Sequence, residues 1–182
     1  MASELLLAPS GHLVAGFDLL DVREIRTVVR PGTLFCCGGV EKANRHDLVR
    51  LTGLGLRSVI DLRTEPEVRA SGEVAVIGTE VFHHPLPDLR GIDLVDAAAG
   101  SICSTAAVLS EPTAVPALVH STNGRNRTDA AVAIVLALLG HVVDEARPML
   151  DAIVARHGSI EAWADEQCVD AAAVEQLRVN LR

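Results

Sequence analysis

The 182-residue chain contains no tyrosine, and aromatic residues make up only 2% of it. It also lacks a surplus of positive charge, because 24 acidic residues outnumber 16 lysines and arginines and leave a net charge of −8. Proteins that bind nucleic acids in general need a basic face for the phosphates, and many stack bases on aromatic rings. The two deficits together argue against nucleic acid as a partner.

Long apolar segments and metal-binding cysteine patterns are missing as well. The longest apolar run, residues 130–139, is too short to cross a bilayer. Residues 1–9 lack the basic start and the long apolar centre of a signal peptide. The cysteines are Cys36, Cys37, Cys103 and Cys168. They include no Cys-x2-Cys spacing, which favours reduced thiols over a disulfide or metal framework. These patterns predict a cytoplasmic protein with no membrane partner, no metal and no cofactor.

Apolar residues are abundant, at 49% of the chain, so residues 1–182 are expected to fold as one domain with a proper core. The most informative stretch is residues 114–140. The short Val-rich run over 114–119 predicts a buried strand. The Ala- and Leu-rich run over 129–139, which stops at Gly140, predicts a helix.

The polar loop between this strand and this helix predicts an anion site. Backbone N–H groups in such a loop point into a hollow, and the helix dipole adds partial positive charge there. Gly124 allows a sharp turn, and Arg127 offers a planar guanidinium that suits a phosphate. The residues alone therefore predict an oxyanion pocket.

The loop sequence His-Ser-Thr-Asn-Gly-Arg-Asn-Arg-Thr, residues 120–128, resembles the His-Cys-x5-Arg-Thr phosphate loop of the protein tyrosine phosphatase superfamily. Ser121 stands where that family has its nucleophilic cysteine. Further resemblances to the bacterial tyrosine/serine and dual-specificity branch follow the family order, at residues 31–35, 59–67, 85–89, 157–159 and 175–178, with a partial one at 16–22. The resemblance implies a cysteine-phosphatase-like fold, a three-layer α/β sandwich around a central, mostly parallel sheet.

The same resemblance implies a set of site residues. Phosphate, from a phosphorylated substrate or another oxyanion, is expected to bind Thr122, Asn123, Gly124, Arg125, Asn126 and Arg127. Asp88 is the expected acid that protonates the leaving oxygen. His120 is expected to form hydrogen bonds that shape the loop, and Thr128 is expected to hydrogen-bond the side chain at position 121.

Ser121 changes the expected chemistry. In the parent reaction, hydrolysis of a phosphomonoester, a thiolate of low pKa forms a phosphocysteine that water then cleaves. An alkoxide is much harder to form than a thiolate, and the sequence offers no base for Ser121. Phosphate binding with little or no turnover is therefore predicted. Three histories stay open: an engineered Cys→Ser trap of a working phosphatase, a natural pseudophosphatase, and a repurposed enzyme such as a phosphate-eliminating lyase.

Three expectations concern the neighbouring segments. Residues 25–30 and 33–37 are predicted to be strands joined by a turn at 31–32. Arg63 follows a predicted strand and is a candidate second anion contact, although an ion pair with Glu67, four residues on, is preferred. His83 and His84 are adjacent on a strand, so they are expected to face opposite sides and not to form a metal pair.

Overall fold

Five strands form one sheet in the computed structural model, which describes residues 21–182; most of the partial family match at 16–22 lies outside the described residues. The strands are β1 (Arg23–Glu24), β2 (Leu34–Cys37), β3 (Ser58–Asp61), β4 (Glu80–His83) and β5 (Ala117–His120). They lie in the order β1-β2-β5-β3-β4. Only the β1–β2 pair is antiparallel within the described chain. The predicted central, mostly parallel sheet is confirmed.

Seven α-helices surround this sheet in the described residues. They are α1 (Arg45–Gly53), α2 (Glu65–Ser71), α3 (Gly91–Ser110), α4 (Arg127–Leu138), α5 (Arg147–His157), α6 (Ile160–Glu166) and α7 (Ala171–Leu181). Two short 3-10 helices, Val40–Lys42 and Asp144–Ala146, precede α1 and α5.

The two faces of the sheet belong to two separate apolar cores, as successive residues of β5 illustrate. Val119 lies in the larger core, which the helices from α3 to α7 complete. Leu118 lies in the smaller core, together with Leu51 of α1. Because side chains alternate across a strand, both faces of β5 are buried. The three-layer α/β architecture is therefore confirmed.

Helix ends follow the local sequence closely. The Ser159 side chain accepts a hydrogen bond from the Ala162 N–H at 2.9 Å, and Asp170 accepts one from Ala173 at 2.8 Å, so both residues cap helix N-termini. The helix α4 ends just before Gly140, whose φ of 79° suits glycine. The predicted stop of this helix at Gly140 is confirmed, while its start lies two residues before the predicted one, at Arg127.

The helix α3 is 20 residues long and, by length and composition alone, is apolar enough to cross a membrane. Its Leu94, Ile102 and Leu109 are completely buried in the larger core, so in this fold it packs as a core helix. The helix is interrupted at Ala98, where the backbone leaves helical geometry.

The prediction of a strand over residues 25–30 is wrong. Sheet pairing covers Arg23 and Glu24, and the Ile25 N–H adds one more bond to the Leu34 carbonyl at 2.9 Å. The chain then turns toward α7, because the Arg30 N–H donates to the Leu181 carbonyl at 2.6 Å. Tertiary contacts with α7 thus override the β-branched pattern of this segment.

Candidate functional site

The loop over residues 121–126 begins where β5 ends and leads into the first residue of α4. Strand β5 lies between β2 and β3, so the loop emerges at the middle of the sheet, at the carboxyl ends of three parallel strands. Ligands of open α/β sheets bind outside these ends. Its position alone makes this loop the first candidate for a functional site.

Ser121 lies at the base of the loop, and only 1% of its surface is exposed. Its Oγ is 2.9 Å from the Oγ1 of Thr128, on the first turn of α4. This hydrogen bond ties the start of the loop to the helix that follows it. It also leaves the hydroxyl without a histidine or carboxylate partner among the described residues.

Gly124 fixes the loop against the end of β2. Its φ is 61°, and a Cβ there would collide with the backbone of Cys37 and Gly38. The Gly39 N–H donates to the Thr122 carbonyl at 3.2 Å and holds the other side of the loop. Backbone-to-backbone contact thus places the loop, and glycine is required for it.

Cys36 and Cys37 lie at the end of β2, beneath this contact, and both are buried. Burial raises the pKa of Cys36 to about 12, and the Arg23 guanidinium acts in the opposite direction. Burial also raises the pKa of Cys37 well above its ordinary value. Both residues are therefore neutral core thiols.

Several backbone N–H groups of the loop are available to a ligand. Asn123, Arg125 and Asn126 have exposed side chains, and no acceptor within residues 21–182 takes their backbone N–H groups. The Thr128 N–H, by contrast, donates to the Arg125 carbonyl at 2.9 Å as α4 begins. Unpaired N–H groups beside a helix N-terminus are the donors that an anion needs.

Arg127 is 4% exposed, and a carboxylate from another element orients it. Its Nη1 and Nη2 donate to the two oxygens of Glu67 at 2.6 and 2.8 Å, and Nη1 also reaches the Leu86 carbonyl at 3.3 Å. A guanidinium carries five N–H donors. Three are in use here, so two remain without a partner in the described part of the chain.

Glu67 is a site residue whose partner sequence reasoning did not find. Besides Arg127, it accepts hydrogen bonds from the Thr122 hydroxyl at 2.5 Å and the Thr64 N–H at 2.7 Å. The hydrogen bonds from Arg127 are the main reason why its pKa lies far below the ordinary value, and burial opposes them. Glu67 is therefore ionised and ties α2 to the loop.

Both interpretations of Arg63 are wrong. The side chain is completely enclosed, so no anion from solution reaches it. It pairs with Asp61 at 2.7 Å and with Glu41 at 3.4 Å, not with Glu67. The i,i+4 spacing fails because Arg63 precedes α2 and so does not share a helix face with Glu67.

His120 does not form the hydrogen bonds expected of it. Its ring is completely buried, and neither nitrogen has a hydrogen-bond partner among the described residues. Asp61 is nearest, with Oδ1 3.5 Å from Nε2. Burial lowers the pKa of His120 to about 4, with Asp61 acting in the opposite direction. The ring is therefore neutral near pH 7.

The histidine pair on and after β4 has separate partners. His83 Nε2 lies 2.7 Å from the Arg63 carbonyl, and His84 Nδ1 lies 3.2 Å from the Thr105 hydroxyl. Within residues 21–182, no group of three or more His, Cys, Asp or Glu side chains is arranged to hold a metal ion.

Asp88 lies in the exposed segment between β4 and α3. The pKa of Arg127 is raised chiefly by its hydrogen bonds to Glu67, and the negative charge of Asp88 adds a smaller part. Asp88 makes no hydrogen bond to the loop within the described residues. The charge of Asp88 therefore acts on Arg127 from a distance, without a hydrogen bond to the loop.

Comparison with known proteins assigns the family. The family model described as "Tyrosine phosphatase family" matches residues 18–147, which is well over half of the chain. The chain belongs to the tyrosine phosphatase family. Membership implies a phosphorylated substrate, and the loop over residues 121–126 lies within the matched residues. None of the curated proteins matches the chain.

Two solved structures resemble this tyrosine phosphatase family member weakly. The core catalytic domain of the PP-IP phosphatase Siw14 from S. cerevisiae, in complex with citrate, is 13% identical, with a TM-score of 0.46 over 85% of this chain and 83% of that one. A mutant form of Tk-PTP is 15% identical, with a TM-score of 0.42 over 81% of this chain and 91% of that one.

Proposed function

We propose that this phosphatase-family domain binds the phosphate of a phosphorylated ligand in the loop over residues 121–127 and does not hydrolyse it through a phosphocysteine. The observation that carries the proposal is the position of Ser121. Its buried hydroxyl lies at the base of a loop with unpaired N–H groups and is held by Thr128 at 2.9 Å. In this proposal, the serine oxygen stands where this family's cysteine attacks phosphorus.

The number of available donors supports phosphate as the ligand. The N–H groups of Asn123, Arg125 and Asn126 and the two unused donors of Arg127 already supply five hydrogen bonds for a tetrahedral anion, before the Thr122 N–H is counted. The carboxylate of Glu67 offsets the charge of Arg127, so binding rests on oriented dipoles as much as on net charge. Thr122 serves through its backbone, because its hydroxyl donates to Glu67.

The surroundings of Ser121 support binding without turnover. A serine needs an adjacent base to become a nucleophile. The nearest histidine in sequence, His120, is directed at Asp61 and is neutral through burial. Thr128 is an alcohol of similar acidity and cannot accept the proton. Replacement of the thiolate also removes a negative charge that repels phosphate.

Asp88 is the proposed acid of the parent reaction. It lies in the loop before α3, and its charge acts on Arg127. In a cysteine form of the domain it would protonate the leaving oxygen. A single domain over residues 1–182, a bacterial origin and a cytoplasmic location remain predictions.

The test restores the missing sulfur. Ser121→Cys is expected to hydrolyse an aryl phosphate at least 100-fold faster than the original chain, and adding Asp88→Asn is expected to slow it about 100-fold. Ser121→Ala is the matched control and should stay inactive. The original chain should bind tungstate, measured by calorimetry. No tungstate binding by the original chain would overturn the proposal.

The remaining outcomes separate the three histories. Hydrolysis by Ser121→Cys points to a phosphatase disabled at one atom. A Ser121→Cys variant that binds tungstate but stays silent points to a natural phospho-ligand binder. If the original chain releases phosphate from the aryl ester or forms a non-hydrolytic product, the binding-only proposal is wrong and a repurposed enzyme takes its place.

A further inference from the structure

A second buried arginine contacts the phosphate loop from the side opposite Arg127. Arg23 lies on the edge strand β1 and is 8% exposed. Its Nη2 donates to the carbonyl of Gly124 and lies 3.4 Å from Oδ1 of Asp129. More than 100 residues separate Arg23 from both partners, so the fold alone brings them together.

The contact with the Gly124 carbonyl determines where an amide points. This carbonyl and the Arg125 N–H belong to one planar trans peptide, so they point in opposite directions. Arg23 holds the carbonyl on the β1 side. The Arg125 N–H, which has no acceptor in residues 21–182, is thereby held on the other side, where the phosphate is proposed to bind.

The contact with Asp129 concerns charge. Asp129 is in the first turn of α4, close to the proposed anion. Burial raises its pKa, with Arg23 and Arg125 acting in the opposite direction. A half-buried carboxylate beside an anion site repels the anion unless a cation offsets it. Among the described residues, Arg23 is the cation in direct contact with it.

We infer that Arg23 is a positioning residue of the phosphate loop, which aims the Arg125 amide by holding the Gly124 carbonyl and offsets the charge of Asp129. This inference rests on the proposed phosphate binding. It requires no contact between Arg23 and the ligand. It also accounts for an acidic residue beside an anion site, which would otherwise weaken binding.

The experiment measures tungstate affinity by calorimetry for Arg23→Met and for Arg26→Met. The control removes the same charge from a neighbouring residue, whose guanidinium pairs with Glu24 at 2.5 Å and does not contact the loop. Arg23→Met is expected to lower the affinity about tenfold or more, and Arg26→Met to change it less than twofold. Equal affinities in the two folded variants would overturn the inference.

Two further variants separate the two roles of Arg23. Asp129→Asn added to Arg23→Met is expected to recover part of the lost affinity, since no carboxylate then needs to be offset. Arg23→Lys keeps the charge and a donor and is expected to lose less than Arg23→Met; it also serves if the methionine variant does not fold. The inference would be contradicted if Asp129→Asn restored no affinity and Arg23→Lys lost as much affinity as Arg23→Met.

Nuclear magnetic resonance of the ligand-free chain keeps the inference separable from the proposed function. The carbonyl ¹³C shift of Gly124 and the amide ¹⁵N shift of Arg125 are expected to move in Arg23→Met and to stay in Arg26→Met. If the original chain does not bind tungstate, the proposed function fails, and these shifts still decide whether Arg23 positions the loop. Unchanged shifts would overturn the positioning role.

Discussion

Arg63 and Arg127 are both buried and both paired with carboxylates, but they differ in what remains of their donors. Arg63 donates hydrogen bonds through four of its five N–H groups, to Asp61, Ser71 and the Gly72 carbonyl, and its Nη1 also lies 3.4 Å from Glu41. Arg127 uses three. Their exposed fractions, 0% and 4%, hardly distinguish them. The number of donors left over, rather than burial, therefore separates an arginine that holds the fold from one that can hold a ligand.

The positions of the two arginines explain this difference. Arg63 follows the end of β3 and is enclosed between the β3 carboxylate and the last turn of α2. Arg127 opens α4, at the mouth of the loop, where one side of its guanidinium meets Glu67. The Glu67 carboxylate thus orients Arg127 and leaves two of its N–H donors available for a ligand.

The largest effect is expected from Arg63→Met. It leaves Asp61 and Glu41 as buried charges without their cation, so the free energy of unfolding is expected to fall by roughly 3–5 kcal/mol. Urea denaturation measures this. The matched control is Arg69→Met, whose exposed ion pair with Glu65 spans 3.8 Å; less than about 1 kcal/mol is expected there. Similar losses in both would show that the enclosed cluster has no special weight.

Acidification tests the same enclosed region through His120. Its pKa in the folded chain is about 4, below the ordinary 6.5, so the unfolded chain binds the proton more tightly. Stability from the neutral ring is complete above pH 6.5 and is lost as the pH falls toward 4, to a total of about 3 kcal/mol. Compared with His120→Gln, the original chain should lose stability more steeply in this window. Parallel profiles across it would contradict the assigned cause.

Arg127→Met tests whether this arginine binds the ligand rather than stabilises the fold. Tungstate affinity is expected to fall about 100-fold, because two charge-assisted hydrogen bonds to the anion are lost. The loss in unfolding free energy should stay well below that of Arg63→Met, since Glu67 is partly exposed and keeps its bonds to Thr64 and Thr122. Calorimetry and urea denaturation measure the two effects. A variant that binds normally but unfolds easily would assign Arg127 to the fold.

Much of the fold could be predicted from local sequence. A few residues suffice to predict the apolar runs of β3, β5 and α4 and the caps at Ser159 and Asp170. In these segments, local propensity and burial favour the same structure. The loop between β5 and α4 could be predicted for the same reason. Its donors are its own backbone, and backbone geometry follows from the strand, the glycine and the helix.

The partners of the charged residues could not be predicted from local spacing. Glu67 pairs with Arg127, 60 residues away, and not with the arginine four residues before it. Arg23 reaches Asp129 across 106 residues, from a two-residue strand that the local pattern misplaces. Such pairs depend on which elements the sheet brings together, and no periodicity within one segment records that.

The seat of Gly124 on the backbone of Cys37 and Gly38 has a consequence for how such a loop changes over time. Any side chain larger than hydrogen at position 124 would push the loop away from β2, so substitutions at this position are not tolerated. Asn123, Arg125 and Asn126 point outward and carry no such restriction. New ligand preferences can therefore accumulate at these three positions while the hollow beneath them keeps its shape.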